Sequence, residues 1–503
     1  QVTLPAGRTI VLAPDDAAGA RMIQDLAHQR GLAGRAVLLG SFAGRHEIPV
    51  ISRLLDPWHV VRQASLILAG PEGEWAPVAA LAETEVEVIG EGRWSRRDLH
   101  DTRALVAGLF APWRWQSPFS GNPLSTGEAV EMLGEWRRLI DLNRTISAVF
   151  GVARWKRVTM DALLWDGGDG PRHAHHHGRR CRILRRGDRA LVWGARVPAG
   201  LAAELTGRGI SVGEVEDGMI RGTGLGANCV PPLSVIADFD GIYFDPSRPS
   251  ELERLLAETD FPERLVARAA ALRMRLVAGG IGKYGRADPV AATGSPPGRR
   301  RVLVTGQVAD DRSVLAGGQV ASSANGNPNL ALLCRARELE GPDAWLIYKP
   351  HPDVEAGHRT GAIEDSETLR LADEIDRSGP IAPLLESVDA LHVLTSLAGF
   401  EALMRGISVT THGVPFYAGW GLTRDLGPVP ARRNRKLSLD ELVAATLIMY
   451  PRYMDPVSRL PCPVEVLVHR LEQNCATVSS PLVRLRELQG RLNLLLRRGG
   501  DRK

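Results

Sequence analysis

The sequence has little of what would mark several large protein classes. It holds only five cysteines in 503 residues, Cys181, Cys229, Cys334, Cys462 and Cys475, odd in number and with no CxxC pair. Such spacing builds neither a disulfide framework nor a zinc ribbon, so a reducing compartment is expected. No apolar run approaches the ~20 residues that cross a bilayer. The opening stretch QVTLPAGRTIVLAPDD shows no basic segment followed by an apolar one. No signal peptide is read there, and cytoplasm is the expected location. An excess of one charge is lacking too, because 62 basic residues against 58 acidic leave +4. That balance is no footprint for a polyanion, and nucleic acid is not an expected partner.

What is present is length and alternation. A chain of 503 residues is too long for one core and suggests about three domains. Short apolar runs alternate with helical patterns, which predicts α/β domains with parallel sheets. In the first segment the strands are TIVLA, AVLLG, SLILAG and VEVIG, with Asp15 or Asp16 capping a helix closed by Gly31. After the helical stretch GEAVEMLGEWRRLIDLNR, a second segment has the strands SAVFG, RALVWGA and ISVGEVE and closes on FPERLVARAAALRMRLVAGG. The stretch RADPVAATGSPPGRR reads as an interdomain linker. A third segment carries RRVLVTGQ, AWLIYKPHP and ALHVLTS. Two Rossmann-like halves joined by a linker predict a GT-B arrangement with its site in the cleft, at the carboxyl ends of the strands. The expected division is an accessory α/β domain over 1–140, lobes over 141–298 and 299–475, and a tail over 476–503. In that tail Leu482, Leu485, Leu488, Leu492 and Leu495 share one helical face, suited to the protein body or to an acidic membrane surface.

Four patches carry side chains suited to chemistry. Lys349 and His351 follow a strand between Pro350 and Pro352, where a point charge and an adaptable donor would meet a nucleotide phosphate. Thr395 and Ser396 end another strand just before a helix. Ser396 is placed to cap that helix or meet a phosphate, and Glu401 to accept from two ribose hydroxyls or answer only the helix dipole. Gln307, Asp310 and Asp311 follow a third strand in VLVTGQVADDRSV. Either aspartate there can attack an anomeric carbon, or merely cap a helix. Glu216, Asp217 and Arg221 precede RGTGLG, which matches a phosphate loop only superficially because no periodic helix follows. HAHHH at 173–177 has no neighbouring carboxylate or cysteine in sequence, reads as a surface loop, and gives no metal site.

Read in order, GVARWKR, VEDGMIRGTGLG, PPLSVIADFDGIYFD, GQVADDRSV, YKPHPDV, TSLAGFEALMRG and VTTHGVPFYAGWGLT resemble the capsule polysaccharide β-Kdo transferases of the KpsC type. The likeness runs from about Asn143 to about Pro456. It implies a retaining GT-B enzyme that uses CMP-β-Kdo, needs no metal or other cofactor, and builds the Kdo linker of a capsule. The implied acceptor is a Kdo-primed, phosphatidylglycerol-type lipid. Capsule assembly and export proteins are the implied partners, met peripherally at the inner membrane. The family's QxxxD pattern falls on Gln307 and Asp311 and favours Asp311 as nucleophile. Its HP motif falls on His351 and Pro352, and its serine and glutamate on Ser396 and Glu401. Glu216, Asp217 and Arg221 match EDGxxR on the opposite wall. Residues 1–140 show neither HP nor QxxxD and read as a degenerate or replaced module, which argues against synthesis of two alternating linkages. The rivals are a CDP-glycerol phosphotransferase of teichoic acid type and a non-catalytic scaffold for capsule export.

Overall fold

The computed structural model describes residues 4–475 except 43–45, 53–54, 96–98, 169, 176–177, 199, 224–228, 284, 287–297, 319–325 and 378. The expected linker, most of the glycine-rich stretch after Arg221 and the leucine-rich tail lie outside the described residues. The chain divides into two compact units, residues 1–117 with 122–129, and 118–121 with 130–503. The first ends earlier than the expected boundary at 140, because the helix Thr126–Arg144 runs through that boundary.

In the first unit, strands β1 (Ile10–Ala13), β2 (Ala36–Leu39), β3 (Val50–Ile51), β4 (Leu66–Ala69) and β5 (Val86–Val88) form a parallel sheet ordered β3-β2-β1-β4-β5. The expected helix spans Ala17–Gln29, and Asp16 is its cap, accepting from the Gly19 amide at 2.7 Å. Asp15 instead accepts from the amides of Glu72 and Gly73 beyond β4. A small hairpin, β6 (Trp115–Gln116) and β7 (Pro123–Leu124), follows.

The second unit holds two lobes. The first has β8 (Ala148–Phe150), β9 (His173–Ala174), β10 (Arg189–Val192), β11 (Ser211–Asp217) and β12 (Ser234–Asp238). Strands β9, β8, β10 and β11 pair in parallel, whereas β11 and β12 are antiparallel. A hairpin of β13 (Ile281–Gly282) and β14 (Gly285–Arg286) leads onward. The second lobe is a fully parallel sheet of β15 (Arg301–Thr305), β16 (Trp345–Lys349), β17 (Glu374–Ile375), β18 (Ala390–Val393), β19 (Ser408–Thr411) and β20 (Arg424–Asp425), ordered β17-β16-β15-β18-β19-β20. Its central strands are apolar on both faces, as a sheet covered by helices requires: Val302, Leu303, Val304, Leu346 and Ile347 are fully buried. The chain then returns: β21 (Arg452–Met454) pairs with β12, and β22 (Pro461–Cys462) with β21.

Three sequence expectations are corrected here. The first lobe's sheet is mixed rather than parallel. Residues 452–462, expected within the second lobe, complete the first lobe's sheet. Finally, His173 lies on the edge strand β9, not in a loop, and its Nε2 meets Asp161 Oδ1 at 2.8 Å. The missing carboxylate neighbour thus arrives through the fold. Still, among the described residues no group of three or more His, Cys, Asp or Glu could hold a metal ion.

Candidate functional site

Parallel register brings the carboxyl ends of β15, β16 and β18 to one edge, Val302 lying opposite both Leu346 and Ala390. Gln307, His351 and Ser396, far apart in sequence, therefore emerge side by side. They face a cavity of about 740 Å³ between the lobes, large enough for a sugar nucleotide. Glu216, Asp217, Gln307, Asp310, Asp311, Lys349, His351, Ser396 and Glu401 all line it. Arg221 does not. It is 1% exposed, lies behind the wall, and donates through Nε to Asp217 Oδ2 at 2.8 Å and through a terminal nitrogen to the Val230 carbonyl. Its expected place on the cleft wall is corrected: any effect it has on the cleft passes through Asp217.

The two aspartates differ in surroundings. Asp310 is more than half exposed and meets Arg359 at 3.2 Å and the Thr360 hydroxyl at 3.0 Å. Asp311 caps the helix Arg312–Gly317, its Oδ1 accepting from the Ser313 amide at 2.9 Å and the Ser313 hydroxyl at 2.7 Å. The Asp311 charge acts on the His351 ring and on Tyr243, which places it among the cleft groups.

On the second lobe's side, Lys349 Nζ pairs with the buried Asp376 at 3.0 Å, so its charge is already balanced within the protein. His351 caps the turn that follows, its Nδ1 accepting from the Asp353 amide at 3.1 Å. Burial lowers its pKa, and the neutral ring then carries its proton on Nε2 as a donor. The Ser396 oxygen accepts from the Ala398 amide at 3.2 Å, which leaves its proton to donate. Glu401 is buried against the β13–β14 hairpin and accepts from the Lys283 amide at 3.1 Å. Burial pushes its carboxyl up. Glycine at 282 leaves room for this carboxylate, because a Cβ there would sit 2.8 Å and 3.0 Å from the two Glu401 carboxylate oxygens and force them to shift.

On the facing wall Lys156 reaches Asp217 at 3.2 Å, with its ammonium 3.3 Å from the centre of the Trp193 ring. Burial works to raise the Asp217 carboxyl, but the Lys156 and Arg221 charges outweigh it and hold it low. Glu216 goes the other way, pushed up by burial and then by the Asp217 charge. Neighbouring carboxyls with opposed shifts suit different protonation roles. Lys283 and Tyr243 line this cleft and Lys156 supports it through Asp217; none of the three was singled out in the sequence. Lys283 is a single cation in a glycine-flanked turn, and its charge is felt at Glu216, Asp217, Tyr243, His351 and Glu401 only after folding. Much of the aromatic motif near 416–421 proves to be scaffold: Tyr417 and Trp420 are fully buried, and the Tyr417 hydroxyl donates to the Ser396 carbonyl.

Two Rossmann-like lobes whose strand ends converge on a cleft of carboxylates and cations define a GT-B glycosyltransferase fold. Comparison with known proteins narrows this. A family described as capsule polysaccharide biosynthesis protein matches residues 188–275 and 265–453, more than half of the chain. The chain belongs to that family. Among solved structures it is similar to the β-Kdo 2,7 transferase and the β-Kdo 2,4 transferase of Thermosulfurimonas dismutans KpsC. Both are 30% identical, with TM-scores of 0.52 and 0.55, and cover 65% of this chain and 99% and 98% of theirs. Capsule polysaccharide modification protein LipA of Neisseria meningitidis serogroup A is 37% identical over 369 residues, 72% of this chain and half of that protein. Lipopolysaccharide-processing protein LpsZ of Rhizobium meliloti is 45% identical over 247 residues, 48% of this chain and 54% of that protein. The chain spans about half the length of the curated relatives it matches. Among the described residues no helix is long and apolar enough to cross a membrane.

Proposed function

We propose that this chain is a retaining β-Kdo glycosyltransferase that uses CMP-β-Kdo to extend a Kdo-primed, phosphatidylglycerol-type lipid during capsule synthesis. One observation carries the reading. Asp311 shares a nucleotide-sized cleft with His351, Ser396 and Glu401, in a module 30% identical to two structures named as β-Kdo transferases along nearly their whole length. In the first step Asp311 bonds to the anomeric carbon as the bond from that carbon to the phosphate oxygen breaks, and CMP leaves with the electron pair. The His351 Nε2 proton and the Ser396 hydroxyl meet the departing phosphate, while Glu401 accepts from the ribose. In the second step an acceptor hydroxyl attacks the same carbon and the ester opens. The Asp311 carboxylate is restored and the hydroxyl proton passes to Glu216. Two inversions retain the configuration. No metal or other cofactor takes part in this reading, and activity should survive EDTA. The same reading places the enzyme in the cytoplasm, held peripherally at the inner membrane near capsule assembly and export proteins.

The test is to incubate the chain with CMP-β-Kdo alone and map any covalent sugar by mass spectrometry. A Kdo ester on the peptide containing Asp311 is expected. Turnover of CDP-glycerol but not CMP-β-Kdo would favour the teichoic-acid rival, and intact capsule with Asp311→Ala would favour the scaffold.

A further inference from the structure

Gln307, Ser313 and Thr395 form a chain of side-chain hydrogen bonds that ends on Asp311. The Gln307 amide nitrogen donates to the Thr395 hydroxyl oxygen at 3.1 Å, while the Thr395 backbone N–H donates to the Gln307 carbonyl oxygen at 2.8 Å. The Thr395 and Ser313 hydroxyls are 3.3 Å apart, and the Ser313 hydroxyl meets Asp311 Oδ1 at 2.7 Å. A hydroxyl has one proton, and an ionised carboxylate can only accept. The Ser313 proton therefore goes to Asp311, the Thr395 proton to Ser313, and a Gln307 amide proton to Thr395. Every donor points toward the carboxylate.

We infer that Ser313 and Thr395, held by Gln307, are positioning residues that occupy Oδ1 of Asp311 and assign Oδ2 as the atom that bonds to the sugar. The inference rests on the reading of Asp311 as nucleophile. A helix cap alone requires only the Ser313 backbone N–H, which accounts for one bond to Oδ1. The hydroxyl bond and its continuation to the end of β18 are surplus to capping. They tie three elements of one sheet edge together: the end of β15 through Gln307, the start of the helix Arg312–Gly317 through Ser313, and the end of β18 through Thr395. Gln307 reaches Thr395 from both ends of its side chain and acts on Asp311 through that residue. Chemically, Oδ1 is the oxygen that becomes the carbonyl of the ester. Two donors on it keep the carboxylate from rotating and stabilise the charge that returns when the ester opens.

The experiment compares Ser313→Ala, Ser313→Thr, Thr395→Val and Asp311→Asn with the unaltered chain, reading CMP release from CMP-β-Kdo with a Kdo-primed lipid acceptor. Losing a hydrogen bond to a charged group predicts a kcat about ten- to a hundredfold lower for Ser313→Ala, with donor KM within about twofold. Thr395→Val, which removes the bonds to Ser313 and from Gln307 but neither bond to Asp311 itself, should lose about three- to tenfold. Ser313→Thr keeps both donors and should recover most of the rate. Wild-type turnover by Ser313→Ala, or a Ser313→Thr as slow as Ser313→Ala, overturns the relay while a dead Asp311→Asn leaves the nucleophile standing. Full activity of Asp311→Asn, or no CMP release by the unaltered chain, overturns both.

Discussion

Asp310 and Asp311 are adjacent in sequence, yet the fold gives them different surroundings. The Asp310 carboxylate is exposed and paired with Arg359, an arrangement that solvent screens strongly. Asp311 is bonded at Oδ1 to Ser313. Asp310→Ala should accordingly keep CMP release within about fivefold of wild type. Asp311→Ala should lose at least about a thousandfold, far more than the roughly 1 kcal/mol of stability that loss of a helix cap removes. Comparable losses from the two substitutions would remove the distinction. The same scale explains why the cleft separates its carboxyls. Glu216 and Asp217 are chain neighbours, but only Asp217 lies against Lys156 and Arg221.

At the scale of elements, the β13–β14 hairpin matters more than its four residues suggest. It presents the Lys283 amide to Glu401 and packs so closely that a side chain at 282 would press on the Glu401 carboxylate. Gly282→Ala should displace Glu401 or the hairpin. An added methyl in a filled site costs about 1–3 kcal/mol of stability. Donor KM should rise roughly tenfold, because misplacing a binding group by a fraction of an ångström is felt at the reacting centre. Denaturant unfolding and donor titration measure the two effects, and an unchanged KM would detach Glu401 from donor binding.

At the scale of the whole catalytic unit, two features control integrity. Glu253, buried on the first lobe's helix Glu251–Glu258, takes Arg432 and Arg433 from the second lobe, meeting Arg433 at 2.8 Å. Arg433 is itself buried and also donates to the carbonyls of Pro415 and Ala418. Glu253→Ala leaves that cation without its carboxylate and should cost about 3 kcal/mol in urea denaturation. A loss under about 1 kcal/mol would show the clamp to be dispensable. The second feature is pH. His412, just past β19, donates through Nε2 to His392 Nδ1 at 2.9 Å, and His392 reaches Glu340 at 3.0 Å. Burial, and then the charge that His392 can carry, hold the His412 pKa down to about 3. The unfolded ring takes a proton near its ordinary pKa of about 6.5, and the folded ring does not. Stability must therefore fall as pH drops below about 6.5, by up to about 1.4 kcal/mol per unit from this ring alone. His412→Asn should flatten that slope between pH 6.5 and 4.5, and equal slopes would exclude His412 as its source.

Alternation of apolar runs with helical stretches determined the α/β class, and strands such as β15 were legible because a buried parallel strand must be apolar on both faces. The cleft residues next to strand ends, Gln307, Asp311, His351 and Ser396, could be named for a related reason: ligands meet open sheets at those ends. Other features carry no local signal. The pairing of β12 with β21 joins residues more than two hundred positions apart, so neither the mixed sheet nor the chain's return could be read from spacing. Arg221 looked like a cleft cation until Asp217 came beside it, and Lys349, which does line the cleft, is paired with Asp376 there. Lys283 and the hydroxyls of Ser313 and Thr395 looked ordinary. Residue type and local pattern decide which groups can do chemistry, whereas only tertiary contacts decide which charges are already balanced, which protons point where, and which oxygen of Asp311 is taken by Ser313. Those depend on through-space neighbours and burial, and periodicity records neither.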